Sequence, residues 1–278
     1  MDINSTHTVY GNYMNLLQRL GKTYQHVPFG SLNERLDIAK DERPTPGTMP
    51  KIGYLMTGVG GHYNDIINNN IAIHRLYQHD PTDAAPFIPS PQILRPIAND
   101  LTPAQRAMYG LRRIETHGGE QYAAYYVRRF DTTNVVPRME YRTINPDKSI
   151  VVSEFIPGTT NLNPVPAEVA VNGVNTTSSQ FITVSAKVEI PWSRWQIDEY
   201  LNASKIMYGT EDAAIISETA ICSAVDKVIQ IGALSYTEAI AAYVETFAQA
   251  KIDLTSNSLD FKMLLDIGVS EPLYRPGS

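Results

Sequence analysis

The chain has 278 residues, of which 43% are hydrophobic and 19% are charged, and its formal net charge is −6. The hydrophobic share is large enough to bury a core, which excludes a wholly disordered chain. The acidic balance provides no overall electrostatic attraction to nucleic acid or to an anionic membrane. The charged share lies below the roughly 25% typical of soluble domains. Uncharged polar residues and 16 tyrosines take its place, a composition that favours a subunit of an assembly.

The cysteine count and the lack of long apolar stretches indicate the compartment in which the protein folds. Cys222 is the only cysteine, so neither an internal disulfide nor a Cys-x-x-Cys metal site can form. The first residues carry neither a basic start nor an apolar run, so we expect no secretory signal. No apolar stretch reaches the roughly 18 residues of a membrane span. We therefore expect a protein that is made and folded in a cytoplasm.

The N-terminal segment, residues 1–50, is predicted to form a helix followed by an extended arm. Residues 41–50 contain three prolines and a glycine, which indicates an extended linker. The spacing in residues 9–20 predicts an amphipathic helix that ends at Gly21. This helix fits a groove on its own domain and a groove on a neighbouring subunit equally well. Its apolar stripe consists of Tyr13, Leu16, Leu17 and Leu20.

A strand and a proline-rich excursion are predicted to follow the linker. Residues 51–58 have the pattern of a strand, and a glycine turn comes directly after it. Gly58, Gly60 and Gly61 lack the spacing of a phosphate-binding loop. The turn is therefore interpreted as one whose backbone needs positive φ angles, which glycine adopts readily. The prolines that follow predict an irregular excursion over residues 81–100, lying on a surface or against a partner.

The middle of the chain is predicted to be β-rich. Residues 102–110 indicate a short helix with Thr102 as N-cap and Pro103 at its first position. Residues 111–130 predict a hairpin around a Gly-Gly turn. A second strand pair is predicted at 137–142 and 149–155, because the connecting sequence contains proline, asparagine and aspartate.

The last part of the chain mixes strands with two predicted helices. The stripe Ala239, Tyr243, Val244, Phe247 and Ala250 indicates a helix over residues 238–250. The other predicted elements are a loop or excursion at 157–180, a strand at 181–190, a helix at 193–207, a strand at 215–223 with a turn at 224–227, and a strand at 258–267. Together these elements predict an α+β fold whose β-rich core, residues 51–278, is built from antiparallel sheets or a sandwich.

No group of residues assembles into a predicted catalytic, cofactor or metal site. His74 and His79 are five residues apart, one too many for a helical zinc pair. The histidines are therefore interpreted as scattered surface or partly buried residues. Ser217 and Glu218 lie on a predicted strand but lack the Gly-x-Ser-x-Gly elbow of a nucleophile. We therefore predict a non-enzymatic protein without a cofactor.

Two arginine pairs are the strongest polar feature of the sequence. They fall on the two arms of the predicted hairpin, where they would meet across the strands beside several tyrosines. Aromatic side chains next to positive charge are compatible with a nucleic-acid surface, but the acidity of the chain argues against it. Arginine and tyrosine are enriched where proteins meet, which favours ion pairs between subunits. The candidate interface residues here are Arg112, Arg113, Arg128 and Arg129.

Three short stretches carry a family resemblance. Residues 213–222, with Ile216, Ser217 and Glu218, resemble a strand and turn of virion structural proteins of tailed bacteriophages. Residues 261–268 look like the terminal strand of the same class. Residues 54–62 are similar to the glycine turn near the start of phage tail and neck components. The resemblance implies a structural role with no catalytic residues to carry across.

The expected function is that of a structural subunit of a bacteriophage virion, in the tail baseplate or in the neck between head and tail. Its expected partners are copies of itself and other virion proteins, assembled in the host cytoplasm through the arm and the excursions. A carbohydrate- or receptor-binding module of a tail is the alternative. Exposed Trp192 and Trp195 would favour that alternative, and buried ones the structural role.

Overall fold

The computed structural model describes residues 4–67, 71–164, 177–231, 234–256 and 260–274. Within these ranges the fold is α+β and dominated by antiparallel sheets, as the sequence predicts. The strands are β1 (Asn4–His7), β2 (Lys51–Gly58), β3 (His62–Ile67), β4 (Ile71–Leu76), β5 (Pro89–Ser90), β6 (Ile93–Pro96), β7 (Tyr109–His117), β8 (Glu120–Arg129), β9 (Arg138–Ile144), β10 (Ile150–Glu154), β11 (Thr177–Trp192), β12 (Ile215–Ile231), β13 (Leu234–Asp253) and β14 (Phe261–Tyr274). The helices are α1 (Val9–Arg19), α2 (Leu32–Leu36), α3 (Pro103–Arg106), α4 (Thr159–Leu162) and α5 (Arg194–Tyr208).

Two compact units share the chain. The large unit consists of Met1–Thr132 and Pro191–Phe261, and the small unit consists of Thr133–Ile190 and Lys262–Ser278. This division differs from the predicted boundary at residue 50, because β1, α1 and α2 all belong to the large unit.

The large unit is built on an eight-stranded sheet. Its strand order is β1-β13-β12-β2-β8-β6, with β5 paired to β2 and β7 paired to β8. Strands β3 and β4 form a separate hairpin. The core of the large unit includes Met56 on β2, Tyr126 on β8 and Phe247 on β13. The sheet therefore joins residues from both ends of the chain.

Strand β13 occupies the place of the predicted helix 238–250, so that prediction is wrong. The strand lies between β1 and β12, and residues 239–244 are buried on both of its faces. A strand buried on both faces has a continuous apolar sequence without alternation, which periodicity cannot distinguish from a buried helix. Irregularities in its pairing with β12, between Ile221 and Cys222 and between Ser223 and Val225, further obscure a two-residue period.

The predicted turn at 224–227 is also wrong, because β12 continues to Ile231. Val225 pairs with Ile240 and Lys227 pairs with Glu238. The pairing with β13 satisfies the backbone hydrogen bonds of these residues. The strand therefore continues through a stretch whose local sequence resembles a turn.

Part of the predicted excursion at 81–100 belongs to the core. On β6, Ile93 pairs with Tyr125 and Leu94 pairs with Ala124, and both β6 side chains are fully buried. The prediction is wrong for this stretch because β6 ends the path of the large sheet, a position at which proline is tolerated. Of the second excursion, 157–180, residues 165–176 lie outside the described residues, α4 is exposed, and 177–180 begin β11.

Several locally encoded elements are confirmed. Strands β7 and β8 form the predicted hairpin, and Gly118 and Gly119 have positive φ angles of 58° and 86° in its turn. Helix α3 begins with a capping box between Thr102 and Gln105. Helix α5 is present, but it buries Ile197, Tyr200, Ala203 and Ser204, while Trp195 and Ile206 are only half-buried.

A four-stranded antiparallel sheet forms the small unit. Its strand order is β10-β9-β11-β14. Ser185 on β11 pairs with Arg138 on β9, and Ile150 on β10 pairs with Ile144 on β9. Strand β10 lies at one edge, and all five of its residues are exposed.

Candidate functional site

Helix α1 docks on its own chain. Its N-cap Thr8 accepts a hydrogen bond from the Gly11 N–H at 3.1 Å. Met14 and Leu17 pack against Tyr243 of β13. Of the predicted interface residues on this helix, Leu17 is thus buried, whereas Tyr13, Leu16 and Leu20 are exposed.

The hairpin register keeps the two arginine pairs apart. Arg112 lies opposite Tyr125, and Arg128 lies opposite Tyr109. Arg112 Nη2 donates to Asp100 Oδ2 at 2.7 Å, and Arg113 Nε donates to Glu115 Oε1 at 2.6 Å. Both arginines are therefore paired within the chain.

Arg129 also makes its contacts inside the large unit. Its Nε donates to Asp226 Oδ1 at 3.0 Å, and its Nη1 donates to the Ala107 carbonyl at 3.0 Å. The guanidinium thereby ties β8 to β12 and to the turn after α3.

Arg128 is buried, with 3% of its surface exposed, and lies over the Trp192 ring at 4.5 Å from the centroid. Neither Nη1 nor Nη2 has a hydrogen-bond partner among the described residues. Burial lowers the pKa of this guanidinium to about 10. The four arginines thus form no common basic patch.

His79 and Glu218 form a buried polar cluster that the sequence analysis missed. His79 Nε2 lies 2.9 Å from Glu218 Oε1, and His79 Nδ1 lies 2.8 Å from Asp83 Oδ2. The imidazole is stacked between Phe87 and Phe247, with centroid distances of 4.1 and 3.7 Å. The interpretation of the histidines as surface or partly buried residues is wrong for His79. The available signal was a glutamate among the apolar residues of the strand predicted at 215–223, because a carboxylate that becomes buried needs partners.

Backbone donors complete the surroundings of the Glu218 carboxylate. The Gly60 N–H donates to Oε2 at 2.8 Å, and the Phe87 N–H donates to Oε1 at 2.7 Å. The turn after β2 can approach Glu218 this closely because Gly61 has no side chain. A Cβ at this position would lie only 2.6 Å from Glu218 Cγ. The cluster therefore holds the turn and the segment around residue 87 against β12, and the side chains of His79 and Glu218 are closed to solvent.

A second polar site is a cleft of about 400 Å³ beside Glu238. Burial raises the pKa of the Glu238 carboxyl to about 7, against the opposing effect of nearby Arg106, Arg112 and Arg129. Arg106 stacks on the Tyr236 ring at 3.3 Å from the centroid. Among the described residues, no group of three or more His, Cys, Asp or Glu side chains is arranged to hold a metal ion.

A group of exposed apolar side chains lies on the small unit. Val184 on β11 is directly opposite Met139 on β9, and both are exposed. Thr183 and Ser185, which flank Val184, are buried instead. The usual order of apolar inside and polar outside is therefore reversed along this part of β11. The exposed apolar residues of the small unit are Val136, Met139, Ile144, Ile150, Val151, Val152, Ile156, Leu162, Val184, Leu264 and Val269.

The described fold and surface define an antiparallel, β-dominated α+β protein with exposed apolar residues on its small sheet. The chain belongs to DUF7208, described as a family of unknown function, whose model matches residues 2–277. No curated protein and no solved structure matches the sequence. None of the described helices is long and apolar enough to cross a membrane.

Proposed function

We propose that the chain is a non-enzymatic structural subunit of a tailed-bacteriophage virion, in the tail baseplate or in the head–tail neck. The exposed apolar surface of the small unit supports a role in assembly. The phage setting rests on the sequence resemblance of residues 54–62, 213–222 and 261–268.

The small unit leaves apolar side chains in water. Burying apolar area contributes about 25 cal/mol per Å². The small unit exposes apolar residues on all four strands of its sheet and in the segment after β10, including Ile156 at 74% and Leu162 at 81%. Contact with neighbouring subunits would remove this area from water.

The tryptophans do not support the receptor-binding alternative. Trp192 is 1% exposed and stacks on Phe261 with a centroid distance of 5.8 Å. Trp195 is half-buried against a core cluster that includes Tyr109. The described tryptophans therefore provide no exposed aromatic platform on which a sugar could stack.

Hydroxyl-radical footprinting of purified phage particles, read by mass spectrometry, tests the proposal. In the isolated chain, exposed Met139, Leu162 and Leu264 should be oxidised. In the particle, their oxidation should fall severalfold, because neighbouring subunits would cover them. Buried Met56 is the matched control and should stay unreactive in both samples. Absence of the chain from purified particles, or equal oxidation in both samples, would contradict the proposal.

A further inference from the structure

We propose that the cleft beside Glu238 binds a small monocarboxylate with an apolar body, whose carboxylate lies between the Arg106 guanidinium and the Glu238 carboxyl. The cleft has a volume of about 400 Å³, within the range of roughly 300–1,000 Å³ that small-molecule sites occupy. Its lining comes from α3, β7, β8 and β13 and the residues beside them, all of which belong to the large unit. Such binding does not depend on the proposed role in a virion.

Arg106 supplies a cation for the ligand. Its guanidinium lies over the Tyr236 ring at 3.3 Å from the centroid, and it forms no ion pair or side-chain hydrogen bond with another described residue. The N–H groups of a guanidinium lie in its plane, so stacking on a ring leaves them available to a carboxylate, which can accept two of them. Arg106 acts electrostatically on Glu238, and both side chains line the cleft. One ligand can therefore contact both groups.

The other cations around Glu238 each have an acidic partner within the chain. These pairs are Arg112 with Asp100, Arg129 with Asp226, and Lys227 with Glu42. Lys227 lies opposite Glu238 in the register of β12 and β13, and Asp100 also accepts a hydrogen bond from the Tyr125 hydroxyl. Among these four cations, Arg106 alone lacks an acidic partner in the part of the chain that the structure describes. A ligand with one negative charge therefore suits the cleft, whereas a cationic ligand would be repelled.

Glu238 provides the second polar contact. Its Oε2 accepts a hydrogen bond from the Arg112 N–H at 3.3 Å, and its Oε1 makes no hydrogen bond with another described residue. Because burial raises the pKa of this carboxyl to about 7, much of it is protonated near neutral pH and can donate a hydrogen bond. Protonated Glu238 would donate to the carboxylate of the ligand, and ionised Glu238 would repel it. Binding is therefore coupled to the proton on Glu238.

Apolar side chains form much of the remaining lining. Leu101, Tyr109 and Tyr125 are buried, and Pro103 and Ala107 lie beside them. A bare carboxylate would leave this surface in water, whereas an aromatic acid would cover part of it. We therefore expect benzoate to bind more tightly than acetate.

A ligand-observed NMR titration of the full-length chain with benzoate tests the site. Carboxyl groups ordinarily have a pKa near about 4, so benzoate stays ionised from about pH 6 to about pH 8. Its affinity should fall about tenfold over this range, because the protonated fraction of a carboxyl with a pKa of about 7 falls by about this factor. At about pH 6, acetate and the uncharged isostere benzamide should each bind at least about tenfold more weakly than benzoate.

Three variants separate the two polar contacts. Glu238→Gln retains a hydrogen-bond donor at every pH, so its affinity for benzoate should change less than about threefold between pH 6 and pH 8. Arg106→Gln should weaken benzoate binding at least about tenfold at pH 6, because the carboxylate loses its charged donor. Arg19→Gln alters an exposed arginine on α1, and this matched control should bind benzoate as the native chain does.

Failure of the native chain to bind benzoate at about pH 6, or equal affinities for benzoate and benzamide, would overturn the proposal. An affinity that rises toward pH 8, or a pH dependence that persists in Glu238→Gln, would also overturn it, because the proton on Glu238 would then not favour binding. The same holds if Arg106→Gln and Arg19→Gln bind benzoate equally well.

Discussion

The Nε2 atom of His79 lies 2.9 Å from the Oε1 atom of Glu218, and both side chains are completely shielded from solvent. The two residues are 139 positions apart in the sequence. The other ring nitrogen of His79, Nδ1, lies 2.8 Å from Asp83 Oδ2. The contact between His79 and Glu218 therefore joins a loop of the large unit to a central strand of its sheet.

Loss of His79 should strongly destabilise the large unit. His79→Ala leaves the buried Glu218 carboxylate without its side-chain donor and removes a ring stacked between two phenylalanines. We expect the free energy of unfolding to fall by about 3–5 kcal/mol, measured by urea denaturation. His7→Ala is the matched control, because His7 is exposed, and it should change stability by less than about 1 kcal/mol. Similar losses for both variants would contradict the structural role of the cluster.

Stability should depend on pH through Glu238. The folded-state pKa of about 7 lies above the ordinary value of 4.5, so the folded chain holds this proton more tightly than the unfolded chain. The resulting stabilisation is fully present below about pH 4.5 and is lost as pH rises through 7, a difference of about 3 kcal/mol.

Glu238→Gln removes this titration. The stability of the variant relative to the native chain should increase between about pH 5 and about pH 8, measured by denaturation at both values. Asp212→Asn alters an exposed carboxylate in the same unit and should show no such change. A constant difference between native and Glu238→Gln chains across this range would show that Glu238 has the same affinity for its proton in both states.

The neighbouring arginines Arg128 and Arg129 should respond in opposite directions to the same substitution. Arg128→Met removes a buried charge whose terminal nitrogens lack described partners, so we expect a net gain of about 1–3 kcal/mol after the loss of the Trp192 contact. Arg129→Met leaves Asp226 and several carbonyls without a donor and should destabilise the chain. Thermal unfolding of the two variants compares them directly, and a stability loss in Arg128→Met would contradict the expected gain.

Gly268 should be essential for the small sheet. A Cβ at this position would lie 2.6 Å from Ser185 Cα and would also collide with the Val184 carbonyl. Gly268→Ala should therefore release β14 from β11, which would appear as faster amide hydrogen exchange in residues 261–274. Gly158→Ala is the control, since nothing lies within 4 Å of its added Cβ. Unchanged exchange in Gly268→Ala would mean that β14 can shift to accommodate a methyl group.

The sequence predicts those parts of the fold that local chemistry determines. The hairpin β7–β8 follows from its Gly-Gly turn, and α3 follows from Thr102 and Pro103. Strand β13 could not be predicted, because its structure depends on β1 and β12 on either side, which a local apolar pattern does not reveal.

The contacts of the predicted interface residues could not be predicted, for a similar reason. The arginine pairs were visible in the sequence, but their partners Asp100, Glu115 and Asp226 depend on strand register and on contacts with other segments. Most of the exposed apolar residues on the small sheet lie in correctly predicted strands. Local sequence predicts the strands that carry these residues. It does not predict their exposure, which depends on tertiary contacts.

The pairing of β1 with β13 also has a temporal consequence. His7 lies opposite Thr246, 239 residues later in the chain. At about 5–20 residues per second of synthesis, the first strand waits roughly 10–50 s before its partner has been made. During that interval β1 and the apolar face of α1 have no sheet to dock on, so they stay exposed to other nascent chains until β13 has been made.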